Sequence, residues 1–143
     1  MCAELRRRLL QVVAVVVLPV LLLLIFGMVE MAAAWRTFQL ITNIARDGAR
    51  VAVLPSSTDQ DVTDHIESLL DGSGLDSGEA GIAYACEAEG SSSICANTNN
   101  ATRVTVDYPY TFRLLGPLVA FAGGNGDGFG TISIASTSIM RRE

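Results

Sequence analysis

A chain of 143 residues is long enough for a single domain, and with 50% hydrophobic and 17% charged residues it is too apolar for a disordered protein. Residues 1–50 carry six arginines against three acids, net +3, whereas residues 51–143 carry four arginines against twelve acids, net −8. So acidic a C-terminal part argues against nucleic acid as a partner.

The first element is apolar. Residues 12–29 contain no charged or strongly polar side chain, and Leu9 and Leu10 lengthen the run upstream. At about 1.5 Å per residue, residues 9–29 rise roughly 30 Å as a helix, the thickness of a bilayer's hydrocarbon core. Arg6, Arg7 and Arg8 stand just before the run, and clustered arginine is retained on the cytoplasmic side. The expected topology is a cytoplasmic basic cap over 1–8, a transmembrane helix over 9–29, and everything beyond about residue 30 outside. The alternative is a removable signal, for which Ala32, Ala33 and Ala34 supply small residues before Trp35; the length of the run and Glu30 weigh against it.

Helical periodicity continues past Val29. Phe38, Ile41, Ala45, Gly48 and Ala52 recur at steps of three and four, with Arg36, Gln39, Asn43, Arg46 and Arg50 on the opposite face. One helix is predicted from about residue 5 to 53, its part over 30–53 being an amphipathic extension that carries the outer domain. Pro19 removes one backbone hydrogen bond and is expected to kink it. Gly48 costs about 1 kcal/mol of helix propensity relative to Ala, which points to another element packed closely over it. Phe38, Ile41, Ala45 and Gly48 are therefore the predicted docking residues.

Residues 54–143 read as an α+β domain. Pro55, Ser56 and Ser57 mark a turn, and Thr58 with Asp61 approximates a capping box. Val62, Ile66 and Leu69 give an apolar stripe, so a helix of about ten residues is predicted, ending before Asp71 and Gly72. His65, the only histidine, reads as a solvated residue with Asp61 one turn back. The period then changes to alternation. Ile82, Tyr84 and Cys86 form one strand, and Val104, Val106, Tyr108 and Tyr110 alternate with Arg103, Thr105 and Asp107 in another. Pro109 puts the end of that strand at a sheet edge. Leu114, Leu115 and residues 118–121 around Gly116 and Pro117 fit a short helix or an apolar loop. The glycine run 123–130 reads as a connection, residues 131–140 as a closing strand, and Arg141, Arg142 and Glu143 as a charged tail.

Cys86 and Cys95 flank a polar segment on the expected oxidising side, so a disulfide is the simplest reading, two free thiols being the alternative. Closing this loop would contribute about 2–3 kcal/mol in the chain-entropy picture. Cys2 falls on the other side of the membrane and cannot be their partner.

Catalytic patterns are wanting. His65 has acids nearby but no serine in a nucleophile elbow, and its His-x-Glu fragment with Glu67 lacks the deaminase cysteines. The glycines of 126–130 fail the dinucleotide spacing, and those of 123–126 lack the Asp of a calcium nonapeptide at Gly128. Glu87 and Glu89 read as solvated loop acids. No enzyme, cofactor, metal or small-molecule substrate is expected.

The plan as a whole resembles a type IV pilin-like protein, and more specifically the TadE-like minor pilins (pseudopilins) of tight-adherence, or Flp-type, pilus systems. The resemblance is carried by residues 18–30, from Leu18-Pro19 to Glu30, by Ala34-Trp35, and by residues 43–52, Asn43-Ile44-Ala45-Arg46-Asp47-Gly48-Ala49-Arg50-Val51-Ala52. The strand 104–110 and the ending 140–143 are similar as well. It implies a pilin-like fold and a non-enzymatic role in assembling an adhesive surface fibre from the bacterial inner membrane. The implied partners are membrane lipid, other pilins or pseudopilins, and assembly machinery. The family's usual glutamate about six residues before the proline falls here on Val13, and its small cleavage residue on Arg8, so the sequence departs from the family at the processing site. The alternative function is an anchored or secreted ligand-binding or sensory domain.

Overall fold

The computed structural model describes residues 2–87, 90–95, 100–113 and 131–141, without the side chains of residues 2, 3, 5–7, 9, 10 and 12. The readings of residues 114–121 and 123–130, of Glu89, Arg142 and Glu143, and of the Arg6 and Arg7 side chains lie outside the described residues. The chain divides into two compact units: one holds the helix up to Ala34 with residues 111–113, the other holds residues from Trp35 to Tyr110 with the last strand.

The first helix, α1, runs Cys2–Ala52 and continues through Pro19. Its buried positions from residue 30 onward include Glu30, Ala34, Thr37, Ile41, Ala45, Gly48 and Ala52, a stripe at steps of three and four. The opposite positions Arg36, Gln39, Asn43, Arg46 and Arg50 are exposed. The second helix, α2, spans Asp59–Gly72 and starts in a complete capping box. The Asp61 N–H donates to Thr58 Oγ1 at 3.2 Å while the Thr58 N–H donates to Asp61 Oδ2 at 2.9 Å, satisfying two of the donors that a helix start leaves unpaired. This helix is longer than the ten residues expected, and it buries Leu70 rather than Leu69. Val62, Ile66 and Leu70 are spaced by four, which keeps them on one line facing α1.

Three strands follow in the order β1-β2-β3: β1 Gly81–Cys86, β2 Ala101–Thr111 and β3 Thr131–Arg141, forming a small antiparallel sheet. The pairing of β1 with β2 runs from Gly81 opposite Asp107 to Cys86 opposite Thr102. The alternation read from the sequence is the burial pattern of β2, with Thr102, Val104, Val106 and Tyr108 buried. Pro109 does not end a strand at an edge: β2 is central and continues to Thr111. The proline is tolerated because it stands two residues past Asp107, the last partner of β1, so its missing N–H removes no bond of that ladder.

One apolar core joins these elements. Ile41, Ile44, Ala45, Ala49 and Ala52 of α1 meet Val62, Ile66 and Leu70 of α2 and Val104, Val106 and Tyr108 of β2. Gly48 sits in the contact between α1 and α2. A β-carbon built there would lie 2.6 Å from Ile66 Cδ1 and 2.8 Å from its Cγ1, and Ile66 is fully buried.

Gly48→Leu is accordingly expected to cost about 1–3 kcal/mol by overpacking, partly recovered when Ile66 is also shortened to Ala. Urea unfolding of the detergent-solubilised chain reads this, and an unchanged midpoint would contradict the close approach. The cap generates a second expectation. Hydrogen bonds from Thr58 hold the Asp61 carboxyl below its ordinary value. Because its folded pKa is the lower one, the capping contribution is complete above the unfolded value and is lost as pH falls through the folded one. An NMR titration should find Asp61 depressed, and Thr58→Ala should return it toward normal; an unshifted Asp61 in the parent chain would count against the box.

Candidate functional site

The surface of α1 has two characters. From Val13 to Val29, thirteen large aliphatic side chains are 38–74% exposed. Full burial of such a side chain is worth about 1.5–3 kcal/mol, so covering the exposed part of thirteen gains on the order of 10–20 kcal/mol. Water is a poor solvent for that surface. The helix is long and apolar enough to cross a membrane, and only 6% of its most apolar window is buried within the protein.

Beyond residue 30 the same helix presents its small-residue stripe. Ala45, Ala49 and Ala52 with Gly48 let α2 and β2 approach closely, and Ile41 fills the end of the contact. Thus Ile41, Ala45 and Gly48 lie in the buried core. Phe38 is 40% exposed and packs instead on Trp35, with ring centroids 5.7 Å apart and planes tilted by 33°. Helix geometry accounts for this. At 100° per residue Phe38 is 60° away from Ile41, rotated toward Trp35 and off the centre of the stripe.

Glu30, at the end of the apolar run, is also a contact residue. It is 3% exposed, and its Oε1 accepts the backbone N–H of Arg113 at 2.8 Å. A buried carboxylate requires such a donor, and here the donor comes from the segment following β2. The signal was present in the pattern: Glu30 lies four residues before Ala34 and seven before Thr37, on the buried line.

At the far end of β1 the disulfide Cys86–Cys95 is formed, with both residues buried and their α-carbons 5.0 Å apart. Its surroundings fasten the intervening loop. The Cys95 N–H donates to Thr102 Oγ1 at 3.1 Å, and the Ile94 N–H donates to Asp59 Oδ1 at 2.9 Å, tying the loop to β2 and to the start of α2. Glu87, read as a solvated acid, forms an ion pair with Arg103. His65 likewise has a partner on another helix, Asp47 Oδ2 of α1, 3.3 Å from its Nε2. Arg8 is exposed. Along α1 and α2 an open recess of about 420 Å³ is lined by Asn43, Arg46, Asp47, Arg50 and Leu69 among others. Among the described residues no group of three or more His, Cys, Asp or Glu side chains is placed to hold a metal ion.

Residues 14–50 match the family model described as TadE-like protein, the family that the blocks at 18–30, 34–35 and 43–52 resemble. The match covers both characters of α1. No curated protein and no solved structure matches the chain.

The Glu30 contact has a local readout. In the full chain the Arg113 amide should exchange slowly with solvent, and Glu30→Leu should accelerate it while the β1 and β2 amides keep their protection. Equal exchange at Arg113 in both proteins would show that the carboxylate does not hold this segment.

Proposed function

We propose that this chain, TadE-like over residues 14–50, is a minor pilin or pseudopilin that takes part in assembling a tight-adherence, Flp-type pilus on a bacterial surface. Residues 9–29 anchor it in the inner membrane, residues 1–8 with Arg6, Arg7 and Arg8 remain in the cytoplasm, and residues 54–143 form the extracytoplasmic domain carried by 30–53. The observation that carries the reading is the two-sided use of α1, an uncovered aliphatic surface before residue 30 and a buried small-residue stripe after it.

Such a helix can exchange lipid for neighbouring helices at little net cost. Leu, Val and Ile side chains lose no apolar contact when pilin or pseudopilin helices replace acyl chains, so one surface serves both for storage in the membrane and for lateral association. Ile41, Ala45 and Gly48 belong to the region that holds the folded domain against the helix, and Cys86–Cys95 stiffens that domain. This role is mechanical and needs no catalytic group.

Deleting the gene should abolish or sharply reduce surface fibres and adhesion, and the wild-type chain should restore them. The intact mass of the membrane-extracted protein should retain the residues before Trp35. Normal fibres in the deletion strain would overturn the assembly role, and a soluble species starting at Trp35 would overturn the anchor.

A further inference from the structure

Trp35 is the only tryptophan in the chain; it is 61% exposed and stacks on Phe38, which is itself 40% exposed. Met31, one turn before Trp35, is 70% exposed. At 100° per residue these three side chains fall within about 60° of one another, beside the buried stripe and not within it. Two large aromatic rings and a thioether thus form an uncovered patch just past the aliphatic run.

The position of the patch along α1 identifies what covers it. From Arg8 to Arg36 the helix rises about 42 Å, the thickness of a bilayer with its headgroups included, about 40–45 Å. Glu30 lies about 33 Å from Arg8, at the far edge of the hydrocarbon, and there its carboxylate is withdrawn from the surface and bonded to the Arg113 N–H. Trp35 is a further turn and a half along, at the depth of the headgroups. An indole combines an apolar body with an N–H donor and is favoured in that layer; the exposed Arg36 beside it can reach phosphate oxygens.

We propose that Trp35, Phe38 and Met31 form a lipid-interface patch that seats α1 in the headgroup layer of the outer leaflet and sets the depth at which the helix rests. This inference rests on the membrane-anchored reading above, since it requires residues 9–29 to span the bilayer. The occupant is the headgroup layer of phospholipid, not a second copy of the chain.

The sole tryptophan makes the test direct. The full chain is reconstituted in phosphatidylcholine and phosphatidylglycerol vesicles, flotation is confirmed, and fluorescence is read with lipids brominated near either end of the acyl chain. The expected result is emission shifted to the blue of tryptophan in water, with a larger loss of intensity from bromines near the carbonyl end than from those near the methyl end. The double variant Trp35→Phe with Phe38→Trp should report the same layer. Protein that floats but shows water-like emission and no bromine quenching would overturn the patch while leaving the anchor standing. A blue shift that grows with protein density and ignores bromine would assign the patch to a second chain and overturn it equally. Failure to float would overturn the anchor and the patch together.

Discussion

A bilayer offers no partner to a backbone N–H or C=O, so a chain that enters one as a single segment must satisfy those groups within the segment. Residues 9–29, which are proposed to make that crossing, are helical, and the same helix continues without interruption to Ala52. Continuation has a consequence. Past the aliphatic run the direction and periodicity of α1 are already set, and the α+β unit has to be assembled against whichever face the register supplies. The stripe of Ile41, Ala45, Gly48 and Ala52 is that face, and small residues on it bring α2 and β2 close enough to form a core with few side chains.

The α+β unit is small, and small domains bury a limited share of their surface. α1 contributes five of the eleven residues of the core cluster, so the sheet and α2 could not form a comparable interior without it. The disulfide acts where α1 does not reach. It closes the loop after β1, whose backbone is also held by Thr102 and Asp59, and so confines a segment of largely polar sequence. The aliphatic run and the folded unit therefore share one element, which suits a protein whose proposed work is to hold a folded unit beside a membrane or within a fibre.

Much of this was legible in the residues. The long helix, the polar face of Arg36, Gln39, Asn43, Arg46 and Arg50, the capping box of Thr58 and Asp61, the alternation in β2 and the cysteine pair all follow from local rules of period, capping and compartment. What escaped depends on contacts between distant segments. Phe38 fits an apolar pattern, but its exact angle on the helix turns it toward Trp35. Leu69 and Leu70 are equally apolar, and only the direction of α1 selects Leu70 for burial. Glu30 reads as the end of an apolar run until Arg113, 83 residues later, supplies its donor. His65 meets Asp47 across helices, and Pro109 becomes tolerable in a central strand only once the register of β1 is known.

The central claim is that α1 is one uninterrupted helix from the aliphatic run into the α+β unit. Residue-specific carbon chemical shifts of residues 26–40, measured by solid-state NMR on the full chain in bilayers, test it most directly. The account predicts helical shifts at every position, including Glu30 and the alanines before Trp35. Extended or coil values anywhere between residues 28 and 37 would contradict it.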